Sequence, residues 1–535
     1  MPEVSVGPGP TAAGGAGALP SHLRRFAVSQ RWDDYTPRDH AVWRHVLRRL
    51  VAHLADRAHP SYLAGLAATG IGTERVPRIE EMDERLSRLG WSAICVRGFV
   101  PPAVFTELQA RRVLAIAADV RSHEHVEYTP APDIVHESAG HAPILADPAY
   151  AAYLQKVGEL GFRAIASAED TAVYEAIRHL SVVKEDPEAS RQEVKAAEQR
   201  LAEATGARRT ASESARASRL YWWTAEYGLV GAPDRPRIYG AGLLSSIGES
   251  VHCLSDAVER VPLSLACVEQ DYDITSMQPR LFVARDFAEL SELADRMAAT
   301  LSWRRGGDHG LSTALAARTV NHLSLDGGRE VSGVVYEVHQ GRSERAPGLT
   351  AALAVVGGPC LLSRAGRALS GPWALPAVVA FGPPAPLPRE GRFQLELPDG
   401  LVLTGRSRGG REVAELRGRM GSRELDLPPR ALLLVSATLP SVAGGAADPE
   451  TWDAHLGPQL REGEAEARAR ARKAAALSPA LAERYREVRR MREGGSVDRD
   501  RLQEIAAEAG GEWLLAEEIE ELLGPRPAGV QAAAP

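Results

Sequence analysis

Tyr128-Thr129-Pro130-Ala131-Pro132-Asp133-Ile134-Val135-His136-Glu137-Ser138-Ala139-Gly140-His141 carries two histidines five positions apart, with an acid beside the first. A zinc-peptidase helix places its histidines at i and i+4, about 40° apart, so both face one metal. At i and i+5 a regular helix turns them about 140° apart. Both imidazoles reach one ion only if His136 precedes the regular helix or the first turn is distorted. The prolines up to Pro132 predict a helix start near His136. Two surface histidines near a helix start are the plain alternative.

Further along, Tyr221-Trp222-Trp223-Thr224-Ala225-Glu226-Tyr227-Gly228 is aromatic and apolar around a single carboxylate. An unpaired buried carboxylate is costly, so Glu226 needs a cation. An arginine is one candidate. A metal is the other, since two imidazoles and one carboxylate suit non-haem Fe(II) and leave positions open for oxygen.

Three motifs in this order carry a family resemblance: Pro132-Asp133-x-x-His136-Glu137-x-x-Gly140-His141, then Trp222-x-Thr224-x-Glu226-Tyr227-Gly228, then Tyr239-Gly240-Ala241-Gly242-Leu243-Leu244-Ser245-Ser246-Ile247-Gly248-Glu249. The chain resembles the pterin-dependent aromatic amino acid hydroxylases, and their bacterial phenylalanine-hydroxylating members most. The likeness runs from Arg31-Trp32-Asp33-Asp34-Tyr35-Thr36 to about Thr300, roughly half the chain. It implies that His136, His141 and Glu226 are iron ligands and catalytic. It makes Arg121 the partner of the substrate carboxylate, itself held by Asp133; a guanidinium fork suits that task. Tyr128, Thr129 and Pro130 then line the amino acid pocket, with Trp222 beside the substrate ring and Ile274 also bordering the site. Ser245 orients an iron-bound histidine. Gly98, Phe99, Val100 and Phe105 form the pterin-binding stretch, Phe105 stacking on the bicyclic ring and Glu137 facing it.

The implied cofactors are Fe(II) and a tetrahydropterin such as tetrahydrobiopterin. The implied reaction uses O2 to hydroxylate free L-phenylalanine to L-tyrosine, a cytoplasmic monooxygenase step in phenylalanine catabolism. Ile274, apolar, speaks against a tyrosine preference. Tryptophan is the alternative substrate, and a catalytically silent binding or scaffold protein is the reading from another class. Two departures stand out: Ala115 occupies a position where animal phenylalanine hydroxylases carry histidine, and His141 and Glu226 are 85 positions apart, because of an insertion.

Composition fits that picture. The 535 residues suggest two to four domains, and 63 Lys+Arg against 70 Asp+Glu leave a net charge of −7, which favours neither nucleic acid nor an anionic membrane. The longest apolar run, Thr350 to Leu362, is broken by Gly357, Gly358 and Pro359 and is too short to span a bilayer. Four scattered cysteines do not form a disulfide framework.

The expected fold is a mostly α catalytic domain, then a β-rich domain, then a helical C-terminal tail. Residues 1–20 read as a disordered tail, with structure starting near Arg31. The catalytic domain spans 21–304, with a helical insertion at about 160–215 in which Asp186-Pro187 opens a helix with a Val194, Ala197, Leu201 seam. Thr36, Pro37 and Asp39 predict a capping box at the first long helix. A β-rich domain of unknown role spans 305–440. Within it Phe393, Leu395 and Leu397 alternate with polar residues, Asp399-Gly400 marks a turn, and Leu401 and Leu403 resume, predicting a hairpin. Strands are also expected at Val331 to Val338 and Ala431 to Val435. Residues 441–535 read as a charged helical tail with breaks at Ser478-Pro479 and Gly494-Gly495.

Overall fold

The computed structural model describes residues 19–98, 100–127, 133–186, 188–274, 276–342, 349–383, 385–453 and 477–524. The expected disordered tail falls mostly on 1–18, outside the described residues. Order begins earlier than Arg31, however. Leu19 and Leu23 are buried with Ile94, Val96, Leu108 and Val113, and His22 forms a buried 2.9 Å pair with Glu107. The apolar surface that secures this start belongs to residues seventy positions away, so local composition does not reveal it.

The catalytic part is largely helical, with two small sheets. Parallel strands β1 (Ser92–Val96) and β2 (Val113–Ala117) form one. The other has the order β4 (Arg235–Ile238), β3 (Leu229–Ala232), β6 (Arg280–Ala284), β5 (Glu259–Pro262). The Pro37–Leu54 helix starts with the expected capping box: the Thr36 side chain accepts from the Asp39 amide, and Asp39 accepts from the Thr36 amide. Its stripe of Trp43, Val46, Leu47, Leu50 and Leu54 is fully buried.

The insertion is a helical hairpin, Ala168–Glu185 and Arg191–Ala207, braced by a 3.0 Å Lys184–Glu198 ion pair. Its second helix starts at Ser190, not at Asp186. Ser190 and Glu193 form a capping box, whereas Asp186 ends the preceding helix and Pro187 lies outside the described residues. A complete capping box satisfies two free N–H groups, one more than a lone Asp cap.

Beyond the short helices Ser302–Arg305 and Gly307–Ala317, the chain forms a 12-stranded sheet. The predicted hairpin is β13 (Glu390–Glu396) with β14 (Leu401–Arg408), Phe393 opposite Gly405 and Leu395 opposite Leu403. Gly400 holds the turn at φ +74°, where a side chain would be strained. Val331–Val338 lies within a longer strand, β8 (Arg329–Arg342).

The apolar run from Thr350 is explained here. Strands β9 (Leu349–Val356) and β12 (Ala377–Phe381) send Ala354, Val356 and Val379 into one core and Leu353, Val355 and Val378 into another. Strands buried on both faces are apolar throughout. The domain also continues past 440, since β18 (Ser441–Gly444) pairs with β7 (Val320–Ser324).

The C-terminal helices are docked, where the sequence suggested a tail. Pro479–Gly494, Arg499–Glu508 and Trp513–Leu523 place Tyr485, Val488, Leu502, Ile505, Leu514, Leu515 and Ile519 in the same core as the Pro37–Leu54 stripe. The breaks at Ser478 and Gly495 are real: Ser478 caps a helix start, and Gly495 ends that helix in the left-handed region. Among the described residues, no helix is long and apolar enough to cross a membrane.

Candidate active site

The spacing problem of His136 and His141 is solved by the backbone. His136–His141 is a single turn of π-helix, in which the Ala142 amide donates to the Glu137 carbonyl, five residues back. Hydrogen bonding at i→i+5 brings residue i+5 over residue i, so the two imidazoles share a face. Trp222–Glu226 is a second π-turn, closed by the Tyr227 amide on the Trp222 carbonyl at 2.9 Å. Such turns are rare and cluster at functional sites.

Glycines bring these turns together. A Cβ on Gly140 would lie 2.6 Å from the Ala241 carbonyl oxygen, and one on Gly240 would lie 2.4 Å from that of Glu226. Three segments far apart in the chain therefore meet backbone to backbone, which explains the glycines in the motifs.

At their meeting point the His136, His141 and Glu226 ligand atoms lie within 4.8 Å of one another. Glu226 Oε2 is 3.2 Å from His136 Nε2, and Oε1 is 3.1 Å from His141 Nε2. Burial disfavours the charged form of His136, but the Glu226 carboxylate outweighs it and pushes the ring up to about 9. For Glu226, burial raises the carboxyl, and the two imidazoles overcome this and hold it well below its usual range. No arginine engages this acid among the described residues. The donor set is the two-histidine, one-carboxylate type that fits ferrous iron.

Ser245 sets the orientation of His136. Its hydroxyl donates to the Ala241 carbonyl at 2.7 Å, and so accepts from His136 Nδ1 at 3.0 Å. That bond keeps a proton on Nδ1, so that when the ring is neutral its Nε2 lone pair is the one offered to a metal. His141 Nδ1 has no hydrogen-bond partner among the described residues.

Beside the cluster, Arg121 and Asp133 form a buried fork. Arg121 Nε and one terminal nitrogen each donate to Asp133 at 2.9 Å, and the other terminal nitrogen donates to the Ser245 carbonyl at 3.0 Å. Asp133 also accepts from the Arg121 and His136 amides, both at 3.0 Å. Burial would raise this acid, but the guanidinium and the amides hold it below its ordinary value. One side chain thus anchors both the arginine and the start of the π-turn.

The remaining predicted residues fall in two groups. Phe105, on the Pro102–Ala110 helix, meets Tyr221 edge-on at 5.6 Å, and Tyr221 lies 6.2 Å from the His141 ring. Gly98 (φ +62°) and half-buried Val100 precede that helix, and Glu137 is buried in the π-turn, its carboxyl raised by burial. Trp222 stacks on Tyr272 at 4.2 Å, two residues before half-buried Ile274. Phe99, Tyr128, Thr129 and Pro130 lie outside the described residues.

Sequence reading passed over Tyr221, which receives a 2.7 Å bond from Gln109 and bridges Phe105 to His141, and also Tyr227, Tyr272 and Glu249. Tyr221, Tyr227 and Glu249 all sit inside the quoted motifs. Their position there was the available signal.

A family model described as biopterin-dependent aromatic amino acid hydroxylase matches residues 32–183 and 201–305. The phenylalanine-4-hydroxylase of Chromobacterium violaceum is 30% identical over 268 residues, 50% of this chain and 75% of that protein. That of Ralstonia nicotianae is 31% identical over 303 residues, 54% of this chain and 83% of the relative. A crystal structure of the C. violaceum enzyme with iron(III) and 7,8-dihydrobiopterin matches at TM-score 0.41 and 28% identity, over 55% of this chain and 92% of that one. The β-rich domain and C-terminal helices lie beyond the family match.

Proposed function

This chain belongs to the biopterin-dependent aromatic amino acid hydroxylases, and from that premise we propose that it is a phenylalanine 4-monooxygenase, converting L-phenylalanine to L-tyrosine with O2, Fe(II) and a tetrahydropterin. The observation that carries this is the His136, His141 and Glu226 cluster within 4.8 Å, beside the buried Arg121–Asp133 fork. Bound iron and pterin together supply the oxygen activation, one oxygen atom going to the substrate ring and the other to the pterin.

The chain's own residues bind and orient. His136, His141 and Glu226 would hold the metal. Ser245 keeps His136 in the ligating tautomer. Arg121 has five N–H groups. Asp133 and the Ser245 and Val126 carbonyls hold the guanidinium plane, and the one N–H group they leave free receives the substrate carboxylate. Because that plane is already immobilised, little entropy is lost on capture. Trp222 and Ile274 border the substrate ring, a role that the family resemblance also gives to Tyr128, Thr129 and Pro130. Gly98, Phe99, Val100 and Phe105 receive the pterin, with Glu137 facing it. A reduced, cytoplasmic setting belongs to the same proposal and is supported by four cysteines that are all free and buried.

The test is tyrosine formation from phenylalanine by the iron-loaded protein with tetrahydropterin. The parent forms tyrosine, and His136→Ala and Glu226→Ala abolish it. Tyrosine formation that survives both substitutions refutes the assignment.

A further inference from the structure

Arg219 and Trp223 stand one turn apart on the continuous backbone that runs from the Glu213–Tyr221 helix into the π-turn ending at Glu226. Both reach the same neighbouring segment. The Trp223 indole N–H donates to the Gln270 carbonyl at 3.0 Å. Arg219, only 9% exposed, bridges two further points of that segment. One terminal nitrogen donates to the Val268 carbonyl at 3.1 Å, while Nε, at 3.0 Å, and the other terminal nitrogen both donate to Oδ1 of Asp271. The segment depends on such bonds, because its described residues from Gln270 to Pro279 belong to no helix or strand. At its far end the buried Gln278 side chain donates to the Asp273 and Ser276 carbonyls, at 2.7 and 2.9 Å.

The anchored segment carries part of the wall around the proposed substrate ring. Tyr272, next to Asp271, lies nearly parallel to Trp222 at 4.2 Å and 11°, and meets Trp223 edge-on at 6.4 Å. Half-buried Ile274 follows two residues on. Trp222 shares the π-turn with Glu226, so its own backbone fixes its place relative to the cluster. Tyr272 and Ile274 are remote from that turn along the chain. The Arg219 and Trp223 bonds put them in register with it, and a planar guanidinium suits the task because it holds two acceptors at once.

We propose that Arg219 is a positioning residue for the amino acid ring: its guanidinium fixes the Val268–Ile274 segment against the helix that leads to Glu226, and so sets how far Tyr272 and Ile274 stand from Trp222. This rests on the placement of Trp222 and Ile274 beside the substrate proposed above. The width of the pocket then depends on the Arg219 bonds, and with it the selection between a one-ring and a two-ring side chain.

Three variants test this in the iron-loaded protein: Arg219→Met, Arg219→Lys and Asp271→Asn. KM and kcat are measured for phenylalanine and tryptophan, with iron content and calorimetric Kd for both amino acids. Asp271→Asn keeps Oδ1 as an acceptor for both nitrogens and stays within about twofold of the parent. Arg219→Met raises KM and Kd for phenylalanine about 3- to 10-fold, the worth of one hydrogen bond. Arg219→Lys keeps the charge but loses the fork, raises both about threefold, and carries the test where Arg219→Met does not fold. In both Arg219 variants the phenylalanine-over-tryptophan preference falls by a similar factor, because a wall that gives way admits the larger ring, while kcat per bound iron and iron content hold. Parental KM and preference in the Arg219 variants overturn the proposal, as does an Asp271→Asn that falls as far as they do. Loss of iron in step with the rise in KM also overturns it, since Arg219 then supports the metal site as a whole. Absence of tyrosine in a parent that binds phenylalanine refutes the assigned reaction instead, and the Kd comparison still decides the role of Arg219. A parent that binds neither amino acid overturns both.

Discussion

Replacing Glu518 with alanine removes one buried polar contact between the C-terminal helices and the catalytic core. Glu518 accepts from Arg44 Nε at 2.8 Å and from an Arg44 terminal nitrogen at 2.5 Å, and Arg492 Nε lies 3.3 Å away. The Arg44 and Glu518 side chains are only 4% and 5% exposed. Removing one partner of a buried pair leaves an uncompensated charge, at a cost of about 3–5 kcal/mol. Arg44 keeps a 2.8 Å bond to the Glu74 carbonyl, which places the loss near 3 kcal/mol. At roughly 2–3 °C per kcal/mol for a domain of this size, the catalytic transition falls by about 6–9 °C in scanning calorimetry. Glu518→Leu with Arg44→Met restores most of it, since an apolar pair of similar volume avoids burying the charges. A Glu518→Ala protein that melts within about 1 °C of the parent, or a double variant no better than the single, refutes the docked arrangement.

Three further outcomes are expected. Metal binding at pH 7 releases about one proton, because His136 is pushed up to about 9 by Glu226 and must be neutral to ligate; release fades above pH 9 and is read by calorimetry in buffers of different ionisation enthalpy. Ser245→Ala removes the acceptor that fixes the His136 tautomer, and iron affinity falls roughly 10- to 100-fold by competitive chelation with little change in melting temperature. Burial pushes Glu249 up to about 7 from an unfolded value of 4.5. Its contribution is therefore full below pH 4.5 and lost as pH rises through 7, roughly 3 kcal/mol in all; the melting temperature of Glu249→Gln relative to the parent rises between pH 5 and 8.

Much of the site was legible along the chain because its chemistry is carried by residue types at short spacings. A lone carboxylate among aromatics demands a cation wherever it is buried, and Glu226 meets two imidazoles. Capping is equally local, so Thr36-Pro37-x-Asp39 declared its helix, and the Phe393 to Leu403 alternation declared its hairpin. For one shared ion, the i, i+5 histidines required either a helix start at His136 or a distorted first turn, and the sequence did not decide between them. A π-turn is selected by packing against the Ala241 backbone, which lies a hundred residues on. The same limit hid the order at Leu19, the two-sided burial of β9 and β12, and the Trp222–Tyr272 stack.

The C-terminal helices show the division most plainly. Ser478, Gly494 and Gly495 marked their ends, because a cap and a left-handed residue act within one turn. Their charged surface resembled that of a solvated tail, and only the folded chain shows Glu518 buried against Arg44. Where a helix begins and what it could ligate depend on neighbours a few bonds away. Which surfaces meet depends on burying apolar area across hundreds of residues, and no local pattern encodes that.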